Sequence, residues 1–123
     1  MVIIENLYKK ITDGDVNYNY AYRLVKSNIS VSMDGKLTKI QAYGIEIERQ
    51  DITNDVVVRI QRDCVENISP QRYKVKNLLK LLYDNTVSPI HMIDILGEYI
   101  DEYTNDFDEI LSSIATCWYI IFT

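Results

Sequence analysis

The chain has few of the residues from which active sites are usually built. Its 123 residues include four glycines, two prolines, two cysteines, one histidine and one tryptophan. With so little glycine, no phosphate-cradling loop, dinucleotide fingerprint or nucleophile elbow can be drawn. The cysteines, Cys64 and Cys117, stand 53 positions apart without a partner motif. They read as two small thiols in a reducing, cytoplasmic setting, not as a disulfide or a zinc pair. The longest apolar run, IATCWYIIF near the C-terminus, is too short to cross a bilayer, so no membrane association is expected. MVIIENLYKK has no basic region leading into an apolar stretch, and no signal peptide is expected.

Basic residues are missing from the last third of the chain. Residues 1–80 carry 13 basic and 10 acidic groups, a net of +3, whereas residues 81–123 carry none and 8, a net of −8. Two solvated surfaces attracting each other within one fold account for this. The sharper alternative is an acidic end that docks a basic partner. The overall charge of −5 argues against nucleic acid as a partner.

What is present is a globular composition, 47% apolar and 25% charged, which excludes wholesale disorder. Ten tyrosines stand against two phenylalanines. Tyrosine suits half-buried strand faces, since its ring packs while its hydroxyl stays wet. Tyr18, Tyr20, Tyr22 and Leu24 alternate with Asn17, Asn19, Ala21 and Arg23, the period of a half-buried strand. Ser27-Asn28 reads as a two-residue turn that would set Leu24 against Val31, and Asp34-Gly35 as a stronger one. In KLTKIQAYGIEIER the apolar positions change phase between Ala42 and Tyr43, which predicts a bulge or bend around Tyr43-Gly44. After a turn at Thr53-Asn54-Asp55, Val56, Val58 and Ile60 are expected to face inward, with Ile47 pairing Ile60 and Glu48 facing Arg59. The opening VIIENLYKKI reads as a further strand at an edge.

Helical signals begin with Ser69 as an N-cap and Pro70 as the first helical residue. Val75, Leu78, Leu79 and Leu82 form an apolar stripe opposite Arg72, Lys76 and Lys80, and Asn85 ends the helix. Ser88-Pro89 repeats the start signal. From there Ile93, Leu96, Ile100, Tyr103, Phe107, Ile110, Ile114, Cys117 and Ile121 follow at alternating spacings of three and four, the pattern of a coiled-coil seam or bundle helix. Thr104-Asn105 offers a break, and two helices are expected, the second with Asp106, Asp108 and Glu109 at its positive end.

The segment IHMIDILGEYIDEYTNDFDEI gathers the single histidine and seven carboxylates. On a heptad the acids fan over the outer surface and do not converge on one point, so no metal site or cofactor is assigned. His91 has no visible nucleophile to serve, and no catalytic residue is nominated. The candidate interface is the seam Ile93, Leu96, Ile100, Tyr103, Phe107, Ile110 and Ile114. An alternative candidate is a ligand face of Tyr18, Tyr20, Tyr22 and Arg23.

Two stretches, QAYGIEIERQD (41–51) and NISPQRYKVKNLLKLLYDNTVSPIHMIDILGEYIDEY (67–103), resemble a family of short uncharacterised proteins of clostridial anaerobes. That resemblance implies no activity and supplies no functional residues.

The expected protein is a single α+β domain over 1–123, strand-rich over 1–66 and helical over 67–123. An antiparallel meander of four to five strands is followed by two or three C-terminal helices packed on the sheet. The expected function is a non-catalytic protein–protein interaction or regulatory module, homodimeric through the C-terminal heptad helix. The alternative is a small-ligand or nucleic-acid binding domain using the tyrosine-rich face.

Overall fold

The computed structural model describes residues 1–122, with every side chain except those of Met33 and residues 114–122. Four strands, β1 (Val2–Asp13), β2 (Val16–Met33), β3 (Lys36–Thr53) and β4 (Val56–Ser69), form one antiparallel sheet in sequence order. Two helices follow, α1 (Arg72–Asp84) and α2 (Pro89–Phe122). The α+β meander is as expected, with four strands and two helices.

Each hairpin closes through two residues: Gly14-Asp15, Asp34-Gly35 and Asn54-Asp55. All of these except Asp15 have positive φ, which glycine, aspartate and asparagine tolerate and which matches the twist of the flanking strands. The expected turn at Ser27-Asn28 does not form. These residues lie mid-strand, pairing Ala42 and Gln41, and Leu24 pairs Ile45 instead of Val31. The stronger Asp34-Gly35 turn sets the hairpin, so β2 runs on for 18 residues.

One face of the sheet carries the core. Tyr20, Tyr22 and Leu24 of β2 and Ile45 and Ile47 of β3 pack against Val75, Leu78, Leu79 and Leu82 of α1 and against Met92 and Leu96 of α2. Tyr22 is fully buried, and its hydroxyl donates to the Val87 carbonyl at 2.9 Å, so the linker between the helices is tied to the sheet. Its ring stacks on Tyr20 and meets Tyr83 edge-on. Burial, reinforced by Tyr20 and Tyr83, pushes the Tyr22 phenol well above its ordinary pKa, so it stays a neutral donor.

α1 begins at Arg72 with Gln71 at the cap position, two residues later than expected. Ser69 Oγ accepts from the Gln71 N–H and donates to Asp106 of α2, which pulls it out of the capping role. Asn85 ends α1 as expected. α2 is one continuous helix and not two. Thr104 returns its hydroxyl to the Ile100 carbonyl, so the helix passes through the expected break. Asp106 caps no new helix; it binds Lys74 of α1 at 2.8 Å.

The phase change in β3 has a different origin from the one expected. The β2–β3 register is unbroken, and the extra residues lie on β4, where Tyr43 pairs Ser69 but Ile45 pairs Val65. At this point the backbone of β4 lies against Gly44, and a Cβ there would overlap the carbonyl oxygens of Val65 and Glu66. Val25 and Ala42 on that second face are fully buried, so both apolar sets of β3 are covered without a bulge in β3 itself. The far end of β4 also departs from expectation. Ile47 pairs Asp63 and Glu48 pairs Arg62, because a second bulge opposite Asp51-Ile52 and the tight turn shift the register. Val56, Val58 and Ile60 do not face inward: they are 60%, 63% and 56% exposed.

Gly44→Ala should therefore lower stability by about 2 kcal/mol or more, because backbone and not a flexible side chain occupies the space. Gly97, mid-helix in α2, has nothing within 4 Å of an added Cβ. Gly97→Ala should be neutral or stabilising by up to about 1 kcal/mol. Urea unfolding of the two variants against the parent checks both signs.

Candidate functional site

On the face of the sheet away from the helices, register sets opposite charges side by side. Arg23 pairs Glu46, and Glu48 pairs Arg62. Arg23 Nη1 donates to Glu46 Oε1 at 2.6 Å and to Glu48 Oε2 at 2.9 Å, while its Nε donates to Asn6. Arg62 donates through two nitrogens to Glu48 Oε2, and Gln50 donates to Glu48 Oε1. Glu48 is 5% exposed. Burial pulls its carboxyl up, but hydrogen bonds from Arg23, Gln50 and Arg62 outweigh burial and hold the pKa below the usual range. It is therefore an acceptor at neutral pH, not a proton donor. Above this network lies a hollow of about 410 Å³ bordered by Tyr8, Lys10, Asn19, Arg23, Glu48 and Gln50. Nearby Cys64 Sγ lies 3.7 Å from Met1 Sδ. Burial, with Glu46, Glu66 and Asp63 around it, pushes its thiol up to about 11, so little of it is a nucleophilic thiolate at neutral pH.

The alternative ligand face is divided between the two sides of the sheet. Tyr20 and Tyr22 are buried under the helices. Tyr18 is half-buried, with the Arg49 guanidinium over its ring. Those rings do not form an open tyrosine face, because the alternation that lines them up also turns them towards the core. Arg23, one residue out of phase, points to the opposite side and borders the hollow.

The heptad seam is likewise divided. Leu96 is fully buried in the core, and Ile100 and Tyr103 pack against it. Ile93 is 52% exposed, and Phe107 and Ile110 are half-buried. Ile114 lies outside the described side chains. The acids Asp94, Glu98, Asp101, Glu102, Asp108 and Glu109 are exposed, as is His91. Asp106 is the buried one, shared by Lys74 and Ser69. The basic stripe of α1 meets β1: Lys76 binds Glu5 at 2.9 Å, with Arg72 at 3.9 Å.

Sequence reasoning did not find the apolar surface at the sheet edges. α1 packs over β2, β3 and β4. It meets β1 through the ends of long side chains: Lys76 and Arg72 to Glu5, and Lys9 to the Tyr83 carbonyl. Between β1 and α1 runs a groove of about 230 Å³, with Leu7 on one wall, Leu79 and Tyr83 on the other, and Glu5, Lys80 and Asp84 at its rim. At the opposite edge, Val56, Val57, Val58 and Ile60 of β4 are exposed, and Ile60 shares a shallow cleft with Pro89 and Ile90 of α2. The exposed run VVVRI was the available signal, but an alternating strand does not say which part of it a helix will cover.

The model of the Family of unknown function (DUF6514) matches residues 1–102, and the chain belongs to that family. The match takes in the whole sheet and α1 and ends within α2. No curated protein and no solved structure matches the chain.

The Glu48 network makes a prediction about acid stability. Because the folded pKa of Glu48 is depressed, its contribution is complete above the unfolded carboxylate range and is lost as pH falls through the folded value. Glu48→Gln should cost on the order of 1–3 kcal/mol at neutral pH. It should also flatten the fall in melting temperature between neutral and acid pH. An equally steep fall in the variant would show that Glu48 is not the group being protonated.

Proposed function

We propose that the chain is a non-catalytic protein–protein interaction or regulatory module of the bacterial cytoplasm that works as a homodimer. The observation that carries this reading is the apolar surface left at both edges of the sheet. These are the groove beside β1 and the exposed Val56, Val58 and Ile60 on β4, with Ile90 and Ile93 of α2 also exposed. An unpaired strand beside apolar side chains is a template for association, and isolated monomers usually blunt such edges. The groove and these β4 residues lie in the stretch matched by the family model, as do Ile90 and Ile93. The carboxylates on the open face are held by arginines, and the Cys64 thiol is held protonated, which supports a binding role over chemistry.

The hollow above Arg23 and Glu48 favours a second reading, a small polar ligand held by hydrogen bonds on the open face. Native mass spectrometry of freshly purified protein separates it from the first. A bound small-molecule mass that is lost on Arg23→Ala supports the ligand reading, and the bare chain mass overturns it.

For the leading reading, light scattering at tens of micromolar should give about twice the 14.4 kDa chain mass. A strict monomer across that range overturns it.

A further inference from the structure

We propose that the partner is a second copy of this chain and that the two copies pair antiparallel through β1, in a register centred on Leu7, to make one continuous eight-stranded sheet. The inference rests on the homodimer reading and names its surface.

Three observations converge on this edge. First, β1 is unpaired on its outer side, and α1 leaves the space above it open as an apolar groove. The main contacts of α1 are with β2, β3 and β4, which leaves the outer edge of β1 to a second copy. At the other edge α2 packs over β4 and two register shifts interrupt the pairing, whereas β1 carries one, between Ile3 and Glu5, and is regular from Glu5 to Asp13. Bulges are a common way of discouraging edge pairing.

Second, charge selects the register. Side chains directly opposite in an antiparallel pair lie on the same face. Centring the two-fold axis on Leu7 sets Glu5 of each copy against Lys9 of the other. Centring it on Lys9 would instead set lysine on lysine and Glu5 on Asp13. Leu7, 36% exposed, would lie against its own copy on the groove side.

Third, Glu5 has an acceptor to spare. Its Oε1 takes Lys76, while Oε2 is buried without a hydrogen-bond partner among the described residues. Lys9 donates to the Tyr83 carbonyl at 2.8 Å. An ammonium has three donors, so Lys9 can keep that bond and still serve a carboxylate oxygen of the second copy once that Glu5 side chain turns outward.

The register is tested by cross-linking, in a Cys64→Ser, Cys117→Ser background. Residues facing each other across the two-fold axis are about 4.5–5.5 Å apart at Cα, within disulfide range. Leu7→Cys should therefore oxidise to a covalent dimer. Tyr8→Cys alone should not, but mixed with Asn6→Cys it should, because these positions oppose each other in this register. Leu7→Lys should weaken the dimer by about tenfold or more, with the monomer still showing a cooperative thermal transition. If the unmodified chain is dimeric, yet Leu7→Cys stays uncross-linked and Leu7→Lys leaves the mass unchanged, the β1 proposal is overturned while the homodimer stands. Loss of the dimer on Ile60→Lys or Ile93→Lys would then place the interface on β4 or α2. A monomeric parent chain removes both readings.

Discussion

The hydrogen bond from Tyr22 to the Val87 carbonyl organises the molecule. It joins the middle of β2 to the linker between the helices, inside the core, where an unpaired hydroxyl or carbonyl would be costly. With that linker held down, α1 must run back over the centre of the sheet and α2 must leave from the β4 side. Tyr83 and Tyr20 close around the same ring. Two helices placed in this way cannot cover four strands evenly. The corner of β4 near its hairpin turn and the strip above β1 are what remain uncovered.

The charges follow from the same arrangement. The basic stripe of α1 divides between its neighbours, with Lys76 and Arg72 reaching Glu5 of β1 and Lys74 reaching Asp106 of α2. The other acids of α2 face solvent, where a helix can carry them at little cost. The second face of the sheet is mixed, with Val25, Ile40 and Ala42 buried on one part of it. Cross-strand pairs of arginine and glutamate occupy another part, where hydrogen bonds between adjacent strands join Arg23, Glu46, Glu48 and Arg62. That part of the face is polar.

Much of the fold could be read locally. Asp34-Gly35 and Asn54-Asp55 tolerate the backbone angles of tight hairpin turns. The alternation around Tyr20 and Tyr22 describes a strand with one covered face, and the Val75, Leu78, Leu79 and Leu82 stripe describes the inner face of α1. Ser88-Pro89 marks the start of α2 well, because proline at a first helical position needs no neighbour to explain it. The candidate residues were harder to read. The heptad row was visible as a row, but Leu96, Ile100 and Tyr103 join the core of their own chain, and periodicity alone does not distinguish that from an interface with another chain. The tyrosines raised the same ambiguity, since an aromatic strand face looks alike whether it is covered by a helix or open to a ligand.

By itself, then, the sequence determined the Asp34-Gly35 and Asn54-Asp55 turns, the strand and helix types and the one-sided character of β2 and α1. These depend on backbone angles and on periods of two and 3.6 residues, which are local properties. Tertiary structure alone decided which apolar sets would be covered. Ile40 and Ala42 became buried on one face of β3 and Ile45 and Ile47 on the other, while Val56, Val58 and Ile60 stayed in water. It also placed the extra residues on β4 instead of β3 and carried α2 through Thr104-Asn105 without a break. In each case the outcome depended on what lay across from the residue, such as the carbonyls of Val65 and Glu66 at Gly44 or Lys74 at Asp106, and those neighbours are distant in the chain.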